Sequence, residues 1–180
     1  MKTLTRRLND ARRKIREEIE RLAKEIGDTC IIVALLGAGG RGIEERRLIK
    51  LHLEKMNIIT LIPEDDIPEE LSPSLLEEAI LTKSDIDLIF VNVESWGTAT
   101  EFAQFHDKHE IAYKLRVLVP AEYHPIYGRE GGYLTDLYLT HLTLYGHVYA
   151  YGNGERFPKP EKIILTIAKR FKELKALGKI

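Results

Sequence analysis

The apolar residues of the first segment recur every three or four positions. From residue 3 to residue 26 they are separated by arginines, lysines and glutamates, which predicts one amphipathic helix. The apolar stripe consists of Leu4, Leu8, Ala11, Ile15, Ile19, Leu22 and Ile26. Such a stripe either covers a face of a sheet within the same chain or pairs with a partner subunit.

The following segment changes to uninterrupted apolar runs. Residues 30–36 form a continuous apolar run, β-branched at Ile31, Ile32 and Val33, that ends at a cluster of glycines, which predicts a central strand buried on both faces. Further strands are predicted at 58–62, 87–93, 115–119 and 147–151. Helices are predicted at 43–55, 98–108, 134–144 and 163–177, with another beginning at Ser72-Pro73, where Ser72 is the expected cap, after an acidic loop at 63–72.

Alternation of strands and helices predicts a parallel sheet with helices on both faces. Open sheets of this kind bind ligands beyond the carboxyl ends of their strands. The loops after Leu36 and Val93 are therefore the expected places for a site.

Composition fits one globular domain of 180 residues, 44% hydrophobic and 31% charged. We expect an N-terminal helix at 1–28 and a single α/β domain at 29–180. Balanced charge, 27 basic against 28 acidic residues, favours a small-molecule partner over nucleic acid or a membrane. The single cysteine and the charged first helix predict a cytoplasmic protein, and the scarcity of glutamine is typical of proteins from hot environments.

The strongest local signal is the passage from strand to helix at 93–101. Gly97 lets the backbone approach a ligand, and the free N–H groups of the helix start favour an oxygen-rich one. Glu101 could then attack a sugar C1′ as a nucleophile, while Glu94 could bind a sugar hydroxyl. Alternatively, Thr98 and Glu101 form a capping box in which the glutamate only accepts a backbone N–H.

A second candidate is the glycine-rich turn after the first strand. It could present N–H groups to a phosphate or hydroxyl, with Arg41 adding charge. The pattern is neither a P-loop nor a dinucleotide-binding fingerprint, so a plain turn is the alternative. Its candidate binding residues are Gly37, Gly39, Gly40 and Arg41.

A third candidate is the loop after the fourth strand, which is either a lid over the site or an aromatic surface loop. Its candidate residues are Tyr123, His124, Tyr127 and Arg129. His106 and His109 lie three apart without a third ligand at metal spacing, so we expect no metal site.

The runs Leu36 to Glu45 and Ser95-x-Gly97-x-x-x-Glu101 resemble the nucleoside 2-deoxyribosyltransferase-like superfamily, most closely its 2′-deoxynucleoside 5′-phosphate N-hydrolases. The resemblance covers residues 31–119. It implies a flavodoxin-like, three-layer fold with a mostly parallel five-stranded sheet, here with an extra N-terminal helix, and a homo-oligomer that requires no cofactor.

By the same resemblance, Glu101 falls on the nucleophile. Ser95 and Gly97, with Thr98 beside them, fall on the loop that holds the sugar 5′ oxygen or phosphate, and the glycine-rich turn lines the same pocket. The family usually has an aspartate in the helix before the third strand that handles the base. Here Glu77 and Glu78 are the nearest acids.

Two other glycosidic enzymes share part of this motif. Gly97-Thr98-x-x-Glu101 resembles the motif of cytokinin-activating phosphoribohydrolases, and Ser95-Trp96 with the later glutamate resembles TIR-type NAD hydrolases. All three predict cleavage at a ribosyl C1′ and differ in the leaving group. A non-catalytic nucleotide-binding or scaffold domain is the remaining alternative.

Overall fold

A computed structural model describes residues 2–68, 70–71 and 73–180. The predicted cap Ser72 lies outside these residues. The strands are β1 (Ile31–Leu36), β2 (Ile58–Leu61), β3 (Leu88–Asn92), β4 (Leu115–Pro120) and β5 (Val148–Tyr151). The helices are α1 (Lys2–Asp28), α2 (Arg41–Lys55), α3 (Pro63–Asp66), α4 (Pro73–Lys83), α5 (Trp96–His106), α6 (His109–Ala112), α7 (Tyr133–Tyr145) and α8 (Pro160–Ala176).

The strands form one sheet in the order β2-β1-β3-β4-β5, and every neighbouring pair is parallel. β1 lies between β2 and β3, with Ile31 opposite Ile58 and Val33 opposite Leu88. The predicted α/β class with a five-stranded sheet is confirmed. The fold is a flavodoxin-like three-layer sandwich, since helices cover both faces of the sheet.

Alternate residues of each strand enter two separate cores. Ala34 and Leu36 of β1 pack on the side of α4, α5 and α7. Val33 and Leu35 pack on the side of α2 and α8. Both sets are buried, and this explains why β1 is apolar without a period of two.

The segment after β2 differs from its prediction as an acidic loop. Its first residues form the helical turn α3, because Pro63 suits the first helical position and the Asp66 carboxylate accepts the Ile62 N–H at 2.7 Å. The short helix α6 was also not predicted. The turn brings Glu64 to Arg46, whose guanidinium also donates to the Leu35 carbonyl at the end of β1.

Helix α1 is attached to the domain at its C-terminal end. The side chains of Asn57 and Lys172 both donate to the Gly27 carbonyl, at 3.2 and 3.3 Å. Leu22 and Ile26 are half-buried, whereas Leu8, Ile15 and Ile19 are exposed. In the described part of the chain, no helix is both long and apolar enough to cross a membrane.

Two histidines are buried where α5 and α7 meet over the sheet. The rings of His106 and His141 lie 6.0 Å apart, and His141 packs edge-on against Phe102. Burial lowers the pKa of His141 to about 4, and the charges of His106, His147 and Arg116 act in the same direction, while the Leu115 carbonyl opposes them in part. His141 is therefore uncharged in the folded protein at neutral pH.

We expect His141 to destabilise the fold in acid. Its pKa is about 4 when folded and near 6.5 when unfolded, so the unfolded state binds the extra proton and stability falls as the pH drops from about 6.5 to 4. When the pH falls from about 7 to about 5, the unfolding free energy of wild type should drop by about 1–2 kcal/mol more than that of His141→Phe. Urea titrations at several pH values measure this difference.

The matched control is His109→Phe, which makes the same replacement at an exposed position. It should follow the wild-type pH dependence. If the unfolding free energies of His141→Phe and wild type fell equally toward acid pH, the lowered pKa of His141 would be contradicted.

Candidate functional site

The start of α5 is fixed by a capping box that excludes Glu101. Ser95 is the N-cap, and its Oγ accepts the Thr98 N–H at 3.3 Å, while Thr98 Oγ1 accepts the Ser95 N–H at 3.1 Å. Thr98 Oγ1 also accepts the Glu94 N–H at 3.1 Å. The alternative that Glu101 caps this helix through a box with Thr98 is wrong, because Thr98 itself occupies the third helical position.

Glu101 lies in the second turn of α5 and is partly buried. Its Oε2 atom is inaccessible to solvent and finds no hydrogen-bond partner among the described residues. Burial raises the pKa of Glu101 to about 7, the charge of Glu64 adds to the rise, and the charge of Arg46 opposes it. An unpaired buried carboxyl oxygen costs stability, which makes Glu101 a candidate functional residue.

A second acid, Glu77 of α4, faces the same region. Burial raises its pKa to about 7, and the charges of Glu101 and Glu64 add to the rise while Arg46 lowers it. Its neighbour Glu78 points elsewhere: it binds Lys108, and Gln104 donates to it at 3.2 Å, so the pKa of Glu78 is lowered. Adjacent glutamates on one helix thus have opposite electrostatic environments.

The positive charge of Arg46 lowers the pKa of both raised carboxyls, but its guanidinium is already engaged. It donates to both oxygens of Glu64, at 2.8 and 2.6 Å, and to the carbonyls of Leu35 and Ala38, at 3.2 and 2.9 Å. The Arg46 side chain is buried, whereas that of Glu64 is 41% exposed, so only the arginine end of this pair is shielded from water. Because its positive charge is largely matched by Glu64, it does not keep Glu77 and Glu101 fully ionised.

Gly37 provides the room for this guanidinium. A Cβ at residue 37 would lie 3.1 Å from Nε and 3.3 Å from Cδ of Arg46. The first glycine of the glycine-rich turn is thus explained by packing on Arg46. Gly40 has a positive φ of 58° and precedes α2, where a side chain would be strained.

A cleft of about 370 Å³ opens at the carboxyl ends of β1, β3 and β5, on the side of α2 and α8. Its polar lining includes Arg41, Glu45, Asn92, Glu94 and Lys159. The Glu94 carboxylate accepts from the Asn92 side chain at 2.5 Å, and Arg41 pairs with Glu45 at 3.2 Å. Glu101 is not part of this lining, whereas Arg46 lines the cleft and also acts on Glu101.

The predicted binding residues therefore divide into two groups. Arg41 and Glu94 lie in the cleft, whereas Glu101 shares its electrostatic surroundings with Glu77 and Glu64. Ser95 and Gly97 are exposed at the start of α5. In the sequence they lie between Glu94 of the first group and Glu101 of the second. Thr98 is 2% exposed and holds the loop by hydrogen bonds, and Gly39 is exposed in the turn before α2.

The loop predicted as a lid is anchored by one of its own members. His124 is buried, its Nε2 lies 3.3 Å from the Val148 carbonyl, and its ring stacks on Tyr127 at 4.7 Å. Tyr123, Tyr127 and Arg129 remain exposed. Gly128 closes the loop tightly, because a Cβ there would lie 2.2 Å from the Glu122 carbonyl oxygen.

Sequence reasoning missed Arg46 and Glu64. The available signal was the position of Arg46 on the buried face of α2, since it precedes the buried Ile49 and Leu53 at steps of three and seven. A charged residue on an apolar helix face requires a partner. Glu64 had no comparable signal, because its contact crosses 18 residues.

Among the described residues, no group of three or more His, Cys, Asp or Glu side chains is arranged to hold a metal ion. The site comprises two carboxyls with raised pKa values, the buried Arg46 paired with the partly exposed Glu64, and a polar cleft at the same edge of the sheet. Comparison of the chain with protein-family models and with curated proteins found no match.

Proposed function

We propose that the protein cleaves or transfers the N-glycosidic bond of a nucleoside or nucleotide, with Glu101 as the nucleophile. The observation that carries this proposal is the partly buried Glu101 carboxyl, with one oxygen lacking a partner, close enough to Glu77 to change its pKa. Enzymes that hydrolyse glycosidic bonds commonly use a pair of carboxyl side chains, one ionised and one protonated.

The pair holds about one proton near neutral pH, because both carboxyls have a pKa of about 7 and the charge of Glu101 raises the pKa of Glu77. In the reactive form, Glu101 is ionised and Glu77 is protonated. The reverse arrangement leaves a neutral Glu101, which is a poor nucleophile.

In the first step, a Glu101 oxygen forms a bond to C1′ while the C1′–N bond breaks. The bonding electrons leave with the base, which takes its proton from Glu77. In the second step, Glu77 as a carboxylate removes a proton from water, and the resulting oxygen attacks C1′ and displaces Glu101. An incoming base instead of water gives transfer rather than hydrolysis.

The substrate's polar groups have candidate partners at the same edge of the sheet as this pair. Ser95 and Gly97, exposed at the N-terminal end of α5, are the candidates for binding the sugar 5′ oxygen or a phosphate, since the helix dipole favours negative charge there. Arg41 and Glu94 in the cleft offer further charge and hydrogen bonds. Tyr123 and Tyr127 remain the candidates for covering the bound nucleobase.

The test is release of a base from a substrate panel. The protein is incubated with deoxynucleosides, deoxynucleoside monophosphates, AMP and NAD, and products are separated by chromatography. Base release that is lost in Glu101→Gln supports the proposal, and nicotinamide release identifies the NAD hydrolase alternative. Addition of a second base separates transferase from hydrolase. Retained ligand binding without release from any substrate would favour a non-catalytic nucleotide-binding domain.

The pH profile of base release should be bell-shaped with its maximum near pH 7. Below about pH 6 both carboxyls become protonated and the nucleophile is lost; above about pH 8 both ionise and the acid is lost. The variant Glu77→Gln should lose about 10²-fold in rate, because the base no longer receives a proton.

Glu78→Gln is the control for this profile, since the same change is made one residue away at a carboxylate that binds Lys108. It should stay within about twofold of wild type at every pH. Equal losses in the two variants, or a rate that continues to rise above about pH 8, would contradict the shared proton.

A further inference from the structure

Helix α1 presents an apolar stripe that the domain leaves largely uncovered. Leu8, Ile15 and Ile19 are 52%, 61% and 60% exposed. Along the sequence the stripe advances in steps of four, three, four, four, three and four residues. These steps average about 3.67 residues, so the stripe stays within about 80° of arc along a nearly straight helix.

The stripe is symmetric about Ile15. Ala11 and Ile19 lie four residues on either side of it, and Leu8 and Leu22 lie seven residues on either side. Leu4 and Ile26 extend the same symmetry. A second α1 running in the opposite direction, with a two-fold axis at Ile15, therefore places an apolar residue opposite every apolar residue.

The charges of α1 are divided between its two halves. Residues 2–16 contain seven basic residues and one acidic residue, and residues 17–28 contain five acidic residues and two basic ones. Antiparallel pairing sets each basic half against an acidic half. Parallel pairing sets like charges together, and an anionic membrane surface would repel the acidic half.

The flank of the stripe shows the same match in detail. Arg7 and Lys14 lie on one edge of it together with Glu18 and Glu25. Arg21 holds both glutamates on that edge, at 2.7 and 2.9 Å. In an antiparallel pair the same edges meet, so Arg7 of one copy faces Glu25 of the other, and Lys14 faces Glu18.

We propose that α1 is a homodimerisation helix that pairs antiparallel with α1 of a second copy, with the two-fold axis at Ile15. Leu22 and Ile26 are only half-buried against their own domain, so they retain surface for the second helix. This interface is independent of the glycosidic chemistry proposed for Glu101.

Cysteine cross-linking tests the direction and register of the pair. The native Cys30 is exposed, so every variant also contains Cys30→Ser. Ile15→Cys should form a disulfide-linked dimer under mild oxidation, because residue 15 meets itself. Leu8→Cys should cross-link to Leu22→Cys in a mixture of the two proteins and not to itself. Self-cross-linking of Leu8→Cys without cross-linking of Ile15→Cys would overturn the antiparallel register.

Mass measurement by light scattering tests the dimer itself. Wild type should have twice the chain mass of 20.7 kDa, and Ile15→Asp should be monomeric. The melting temperature of the Ile15→Asp domain should equal that of wild type. Lys24→Asp introduces the same side chain on the face away from the stripe and should remain dimeric. Circular dichroism confirms that α1 stays helical in both variants.

Charge reversal adds a rescue experiment. The double change Arg7→Glu and Lys14→Glu should weaken dimerisation at least about tenfold, and adding Glu18→Lys and Glu25→Lys should restore it. A wild-type monomer, or an Ile15→Asp dimer, would overturn the proposal. A monomer that floats with vesicles containing anionic lipid would identify α1 as a membrane-surface helix instead.

Discussion

Glu101→Gln is expected to lower base release at least about 10³-fold, the size of effect that follows loss of a covalent nucleophile. The amide has nearly the shape of the carboxyl but cannot form a stable bond to C1′. The measurement is base release per enzyme under single-turnover conditions, with the substrate identified from the panel. Substrate binding should change little, because the replacement keeps the volume of the side chain.

The same variant is expected to be more stable than wild type at alkaline pH. The pKa of Glu101 is about 7 when folded and near 4.5 when unfolded, so the folded state binds more protons and stability falls as the pH rises from about 4.5 to 7. Removal of the buried charge should raise the unfolding free energy by about 1 kcal/mol at about pH 8 and leave it unchanged at about pH 5.

These two outcomes together separate catalysis from structure. A carboxylate kept only for packing would leave base release intact when replaced, and a carboxylate that stabilises the fold would lower the melting temperature when lost. Glu78→Gln again serves as the control, because it removes a lowered-pKa carboxylate bound to Lys108 and should cost a little stability and no activity. Unchanged base release in Glu101→Gln would end the nucleophile assignment.

Arg46→Met is expected to lower the unfolding free energy by about 3 kcal/mol, the usual cost of breaking a buried ion pair from one side. The methionine keeps an apolar stem but leaves the Glu64 carboxylate and the Leu35 and Ala38 carbonyls without their donor. Glu64 is 41% exposed, so water partly compensates and the loss lies at the lower end of the range. Urea unfolding measures it directly.

Arg47→Met is the matched control on the next residue of α2. Arg47 also pairs with two carboxylates, Glu44 and Asp65, but its side chain is 46% exposed. Its loss should therefore destabilise the fold much less than the loss of Arg46. Equal destabilisation by the two variants would show that burial of Arg46 contributes nothing to the strength of its pair.

Arg46→Met should also change the acid limb of the rate profile. The guanidinium lowers the pKa of both Glu77 and Glu101, so its removal raises both values further. The rate maximum should then move to higher pH in any activity that remains. Arg46 thus links the stability of the turn between β1 and α2 to the protonation of Glu77 and Glu101.

The sequence by itself determined the α/β class, the strand and helix order, and the presence of a carboxylate just after the third strand. These features depend on local periodicity and capping, which neighbouring residues fix without distant contacts. The sequence left the role of Glu101 open between cap and nucleophile, because its spacing from Thr98 fits both. It also placed all site residues in one cleft.

Only the tertiary structure decided those two points. Ser95 and Thr98 complete the cap by themselves, which leaves Glu101 free for another role. Two separate groups are present: the cleft with Arg41 and Glu94, and the carboxyl pair of Glu77 and Glu101. Arg46 lines the cleft, and its charge also lowers the pKa of both carboxyls. The physical reason is that burial and charge at these residues come from contacts between α2, α3, α4 and α5, and no local pattern encodes distances between elements far apart in the chain.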